Sequence, residues 1–232
     1  MDWWYRFYSV QDTDPSWQLK MTRINNGEEQ DSNTFFQNGW WNNWSPQGYN
    51  WIWPHGPTFP NDGDRNAEYS ISQSTWHHWT LFIKQSSTGS ATDGEIYLWL
   101  DGTLVANEDA MNTWNGSISA QRATFAWYIG NAEDDTEAHM WYDDIYIDNS
   151  WQSVWIGDNS NWDNCTHREI QIPAAWSDTS ITTEVNQGSF PTCERLYLFV
   201  VDADGNVNTQ GYPIRIVTAA GEPPCPPMWP WE

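Results

Sequence analysis

The chain has 232 residues, with 31 acidic against 9 basic side chains, a formal net charge of −22, and 20 tryptophans. Such a charge repels nucleic acid and anionic membranes, and no apolar run approaches the roughly 20 residues of a membrane-spanning helix. Nucleic-acid partners and membrane insertion are therefore excluded as expectations, and an extracellular or cell-surface address among neutral partners or divalent cations is expected. The start, "MDWWYRFYSV", has neither the basic opening nor the small-residue cleavage site of a signal peptide.

The elements read in chain order as β-strands almost throughout. Aromatic and β-branched stretches recur between Asn, Asp, Gly, Ser and Pro clusters, the pattern of an all-β sandwich. Strands are predicted at 3–10, 17–24, 67–72, 78–86, 95–102, 104–108, 122–130 and 140–148, with an Asp-Gly hairpin turn in "LDGTLV". Residues 25–66 read as one long loop region, and loops of that length inside compact domains are usually functional or disordered. Beyond Asp148 the strands shorten: "SVWIGD", "REIQIP", "SITTEV", "RLYLFVVDADG" and "YPIRIV". The predicted organisation is a β-sandwich over 1–150, a small β module over 151–217 and a proline-rich tail over 218–232.

Alternation assigns faces. In "EIYLWLDG", Ile96, Leu98 and Leu100 share one side and Tyr97 and Trp99 the other. The expected core is Ile83, Ile96, Leu98, Leu100, Phe125 or Tyr128, and Ile145. In "WWYRFYSV" both sides are aromatic: Trp3, Tyr5 and Phe7 on one, Trp4, Arg6 and Tyr8 on the other. A loop, a neighbouring chain or a ligand is expected to cover the second. Of the three cysteines, Cys165 and Cys193 lie in one C-terminal region and are expected to pair. Cys225 is then free, an inert thiol or a link to another chain.

The stretch "TWHHWTLFIKQSSTGSATDGEIYLWLDGTLV", followed by "FAWYIGN" and "WYDDIYID", resembles the concanavalin A-like jelly-roll superfamily. More narrowly it resembles its laminin-G-like and polysaccharide-lyase-like bacterial secreted members. The resemblance covers roughly residues 67–148 and, more loosely, 3–24. It implies an all-β jelly-roll sandwich followed by a small C-terminal β module, which is similar to an immunoglobulin-like add-on. It also implies one calcium ion near the "YDD" strand, held by Asp143 or Asp144. No organic cofactor is expected. The fold is shared by lectins, lyases, hydrolases and adhesive modules, so it does not choose an activity. Members of this kind have a further N-terminal strand near the "YDD" strand. Here "DWWYRFYSV" itself fills that place, a neighbouring subunit supplies an edge, or the strand is missing.

Three functions compete. The first is binding of a glycan without cleavage. Indole faces suit the apolar side of a pyranose, and Asn suits its hydroxyls, so Trp40, Trp41, Trp44, Trp51 and Trp53, beside Asn38, Asn42, Asn43 and Asn50, are expected at the rim of a sheet carrying Tyr97 and Trp99. The competing reading of the same indoles is a small loop core packed on prolines.

The alternative is a polysaccharide lyase acting on uronate-containing glycans. Elimination needs a cation or amide on the carboxylate and a base at C5. Lys20, Arg23, His55, His77, His78, Lys84 and Tyr97 are the candidates, and His78, Lys84 and Tyr97 head that set. The R-[ST]-E-[LV]-R and Q-[IV]-H strands of alginate lyases with this fold are absent, as is the E-x-D-x-x-E strand of its glycoside hydrolases. The third reading is a structural subunit of an extracellular fibre or sheath, assembling as a homo-oligomer or polymer through the N-terminal strand and the C-terminal tail.

Overall fold

A computed structural model describes residues 1–9, 18–25, 34–41, 49–54, 71–114, 122–130, 138–217 and 225. The chain divides into two compact units, Met1–Ile145 and Tyr146–Glu232. Strands dominate, and the described residues contain no α-helix, so none is long and apolar enough to cross a membrane. The fold is an all-β jelly-roll sandwich with a small C-terminal β module.

The described residues of the first unit include these strands: β1 Asp2–Ser9, β2 Gln18–Asn25, β3 Thr34–Trp41, β4 Tyr49–Pro54, β5 His77–Lys84, β6 Gly94–Leu100, β7 Thr103–Met111, β8 Arg122–Gly130 and β9 Ala138–Tyr146. They form a five-stranded sheet, β7-β6-β5-β1-β9, and a four-stranded sheet, β4-β3-β2-β8. Alternation decides what lies between the sheets. Trp3, Tyr5 and Phe7 of β1 are buried, as are Trp79 and Leu81 of β5 and Ile96, Leu98 and Leu100 of β6. Met21 and Ile24 of β2 join this core, with Ala123 and Phe125 of β8 packed against it. Tyr97 and Trp99 are half-buried on the opposite side of β6, as the period of two requires. Asp101 and Gly102, with φ of 49° and 77°, make the tight β6–β7 turn that the Asp-Gly pair signals.

Four expectations need correction here. Residues 25–66 are not one loop: they contain β3 and β4, paired with Trp40 across from Asn50, Trp51 from Gly39 and Trp53 from Gln37. Tryptophan fits a pleated surface well, and that preference outweighs the Asn, Gly and Pro around it. The predicted strand at 67–72 fails where it can be followed, since Ile71 and Ser72 are outside any strand, while 67–70 lie outside the described residues. Ile145 is 47% exposed rather than in the core. Asp144 before it has a φ of 46°, and a left-handed residue resets the pleat as a bulge does. Finally, β1 is an interior strand, hydrogen-bonded between β5 and β9. "DWWYRFYSV" fills its own place in the sheet, and it offers no open edge through which copies could polymerise.

In the second unit, β10 Ser153–Gly157, β11 Arg168–Ser177, β12 Ser180–Glu184, β13 Leu196–Val201 and β14 Tyr212–Ile214 form one antiparallel sheet, ordered β12-β11-β10-β13-β14. Trp155, Ile170, Phe199 and Val201 cluster together, and Ile156, Phe190 and Leu196 form a second cluster. All five residues of β10 are buried, which fits the central strand of a sheet covered on both faces. Gly188, with a φ of 54°, lets the 186–190 turn pass over the Glu169 carboxylate, where a Cβ would collide with it.

The expected Cys165–Cys193 bridge is also corrected. Cys193 is bonded to Cys225, with Cα atoms 5.2 Å apart, and Cys165 is a free thiol. The Cys165 side chain lies against Gly157 and donates to the Asn159 and Asn161 carbonyls at 3.4 and 3.5 Å. It is a packed residue of the Trp155 cluster, and burial pushes its pKa up.

Candidate active site

Each sheet of the first unit has one face on the shared core and one turned away from it, and the candidate residues distribute over the two outer faces. On the five-stranded sheet the outer face carries His78, Phe82 and Lys84 from β5 and Glu95, Tyr97 and Trp99 from β6, by the pairing Thr80–Trp99, Phe82–Tyr97 and Lys84–Glu95. The four-stranded sheet holds β3 and β4, and hence the backbone of Trp40, Trp41, Trp51 and Trp53. These strands belong to one sheet, and β6 with Tyr97 and Trp99 to the other. Trp44 lies outside the described residues, and so do the side chains of the other four indoles.

The set His78, Lys84 and Tyr97 is not assembled either. Six residues of extended strand put His78 roughly 20 Å from Lys84. The His78 ring lies 5.0 Å from that of Trp4, and its Nε2 is 3.7 Å from Asp2 Oδ1. Lys84 is bound to Glu95, Nζ to Oε1 at 2.6 Å, and that hydrogen bond raises its pKa. Tyr97 is stacked on Phe82 at 5.8 Å. Burial, then the negative charge of Glu95, pushes its phenol pKa up, whereas a catalytic base needs the opposite shift. His77 binds Asp101 and Ser72 in a loop-anchoring contact, and His55 lies outside the described residues.

The other outer face holds a different arrangement. In β2, a register shift between Lys20 and Thr22 sets a bulge, and Met21 and Thr22 are both buried. Alternation resumes beyond it. Thr22 stands across from Phe125 and Ile24 from Ala123, both packed on the core. Arg23, between them, therefore points to the face away from the core, across from Thr124 on β8 and Gln37 on β3. Its side chain is only 1% exposed. The Thr124 hydroxyl is buried and has no hydrogen-bond partner among the described residues. Arg23 is a buried guanidinium with contacts of its own, and the unsatisfied Thr124 hydroxyl stands across from it on β8. Beyond the bulge, the same strands pair Lys20 with Tyr128. Arg23 and Lys20 were visible in the sequence; Thr124 was not, because only the bulge-shifted register sets it opposite Arg23.

At the proposed calcium position, Asp143 is exposed and its Oδ1 accepts the Asp144 N–H at 2.9 Å. Among the described residues no group of three His, Cys, Asp or Glu side chains gathers there or elsewhere. Two carboxylates would supply only part of the six to eight oxygens that calcium takes.

No protein-family model matches the chain. No curated protein matches it either. Among solved structures it is similar to alginate lyase Aly36B, at 20% identity and a TM-score of 0.43, over 61% of this chain and 65% of that one. A mutant of the same enzyme in complex with alginate trisaccharide matches at 17% identity and a TM-score of 0.44, over 61% and 66%. The endo-β-1,4-glucuronan lyase of the fungus Trichoderma reesei matches at 21% identity and a TM-score of 0.41, over 61% and 64%. The chain thus spans slightly less than two thirds of the length of these distant neighbours. All three are lyases, so the expectation of a glycan binder without catalysis is corrected in favour of its alternative.

Proposed function

We propose that the chain is a polysaccharide lyase acting on uronate-containing glycans, working outside the cell. What supports this reading is the register of β2 and β8, which sets Arg23 across from Thr124 and Lys20 across from Tyr128, four polar residue types suited to a uronate, on neighbouring strands. Abstraction of the C5 proton of a uronate leaves charge that delocalises onto its carboxylate. A guanidinium bonding that carboxylate stabilises the anion as it forms. The base then holds the C5 proton, the C4–O bond breaks, a C4–C5 double bond forms, and a proton passes to the departing glycosidic oxygen. No water is consumed. Lys20 and Tyr128, paired across β2 and β8, have the residue types for the base and the acid. Names of the solved neighbours point to alginate and glucuronan as the uronate polymers to try first. For the C-terminal unit we retain an immunoglobulin-like accessory role, and for Asp143–Asp144 a single calcium.

The test is incubation with polymannuronate, polyguluronate and polyglucuronate, following the ultraviolet absorbance of the unsaturated product. Wild type is expected to form it from at least one polymer, and Arg23→Met to lose it. Binding of all three with no unsaturated product from any of them would overturn the lyase reading.

A further inference from the structure

The face of the five-stranded sheet opposite the core carries a cluster that the proposed elimination does not use. Arg6 of β1 lies between two indoles. Its Cζ is 4.3 Å from the ring centre of Trp141 on β9 and 5.1 Å from that of Trp76, just before β5. Since β1 runs between β5 and β9, the two rings flank Arg6 from opposite neighbours. The row continues: His139 stacks on Trp141 at 5.5 Å with planes 17° apart, and Tyr8 lies 6.4 Å from His139. Trp76, Trp141 and Tyr8 are 37%, 37% and 42% exposed. Three exposed aromatic rings in one row are an unusual use of a solvent face.

The charge at the centre is unspent. Among the described residues no carboxylate pairs with Arg6, and its Nε is buried with no hydrogen-bond partner. Elsewhere on this face Lys84 is bound to Glu95, Asp2 to Thr80 and, more distantly, to His78, and Asp143 accepts the N–H of Asp144, while Asp109 of β7 lies near Tyr97 on the far side of the sheet's order from β1. The two indoles hold the guanidinium plane in place by cation–π contact. That fixes its free edge without neutralising it, in a chain whose charge is −22. The geometry points to a second, non-catalytic binding surface here for an anionic polysaccharide. Indoles and Tyr8 meet the apolar faces of successive sugar rings, and Arg6 takes a carboxylate. It holds insoluble or gelled polymer while chains are cut on the other sheet; in naming the polymer as a polyuronate it rests on the proposed function above.

The experiment compares wild type, Trp141→Ala and Arg6→Gln on beads carrying polymannuronate, polyguluronate or polyglucuronate, and on cellulose. Soluble short oligosaccharides serve in parallel for product formation. Wild type is expected to be retained on a polyuronate and not on cellulose, and each variant to lose retention by about tenfold or more. Melting temperatures and turnover of short substrates should stay near wild type. Retention unchanged in both variants, or no retention of wild type on any polyuronate, overturns the surface whatever the turnover. Equal retention on cellulose overturns the role of Arg6. If wild type turns nothing over yet Trp141→Ala and Arg6→Gln lose retention, the surface stands and the lyase reading falls. A variant that melts well below wild type is replaced by Trp76→Ala, which lies outside the strands.

Discussion

His77 Nδ1 lies 2.7 Å from Asp101 Oδ2, and the other oxygen of the same carboxylate accepts the His78 N–H at 2.8 Å. One side chain thus ties the first turn of β5 to the Asp-Gly turn between β6 and β7. Burial pushes the Asp101 pKa up, but the bonds from His77 and from the His78 backbone outweigh it, and the net direction is down.

A carboxylate whose pKa is lower in the folded chain adds stability above its unfolded value, about pH 4, and that stability is lost as pH falls through the folded value. Asp101→Asn is therefore expected to melt below wild type at neutral pH, with the gap closing in acid. Melting curves from about pH 7 down to about pH 2.5 check this. A gap that stays constant over that range refutes the linkage.

The β6 strand shows what the sequence made legible and why. Ile96, Leu98 and Leu100 alternate with Tyr97 and Trp99, and the burial follows the alternation without exception. Strands β3 and β4 are hard to read from sequence because Gln, Asn and Gly interrupt the aromatic residues of β3, Asn50 interrupts those of β4, and Asn, Gly and Pro crowd the stretch between them. The Arg23–Thr124 pair depends on a bulge, and a one-residue slip in register moves every side chain to the other face. Alternation sets Arg6 on the side of β1 away from Trp3, Tyr5 and Phe7, but its flanking indoles come from β9 and from the residue before β5, contacts that no local pattern encodes. Cysteine spacing could not choose among pairings, since folding brings Cys225 back to Cys193.

Leu98 is fully buried, while Ile145 is 47% exposed. Leu98→Ala is expected to cost about 2–5 kcal/mol through lost burial and the cavity left behind. Ile145→Ala should change stability by less than about 0.5 kcal/mol. Denaturant titrations of the two variants measure both, and equal losses would mean that the two positions have been assigned to the wrong environments.

The Cys193–Cys225 bridge spans 32 residues. A loop of that size constrains the unfolded chain by about 2–4 kcal/mol in the chain-entropy model. Cys193→Ser should destabilise the C-terminal unit by that order, and Cys165→Ser should not reproduce the loss. Mass spectrometry after alkylation in denaturant should find one modified cysteine, Cys165, in the unreduced protein. Two or three modified cysteines would contradict the pairing.

The calcium position rests on the resemblance of the "YDD" strand and on the half-buried Asp144, with "NAEDDTE" (131–137) preceding it in sequence. A cation that binds only the folded chain raises stability by mass action. Excess chelator is expected to lower the melting temperature of wild type, and Asp144→Asn to remove that response. A chelator-insensitive wild type leaves Asp143 and Asp144 as surface acids and ends the proposal.

Arg23 separates a structural role from a catalytic one. A buried charge that serves only the fold leaves its partners exposed to desolvation when it is removed, and breaking such a pair costs about 3–5 kcal/mol. Where Arg23 also takes a substrate carboxylate, replacing it by methionine, of similar length and apolar, costs turnover beyond what the change in stability accounts for. It should then reduce turnover of a uronate polymer by about 100-fold to 1,000-fold, the scale for losing one group that stabilises developing negative charge. Arg23→Lys keeps the charge but loses the bidentate fork, and should fall between the two. Melting curves and unsaturated-product rates on the same three proteins decide it. Unfolding of both variants in step with loss of turnover would make Arg23 a strut of the four-stranded sheet. A stable Arg23→Met with unchanged turnover would move the carboxylate site elsewhere.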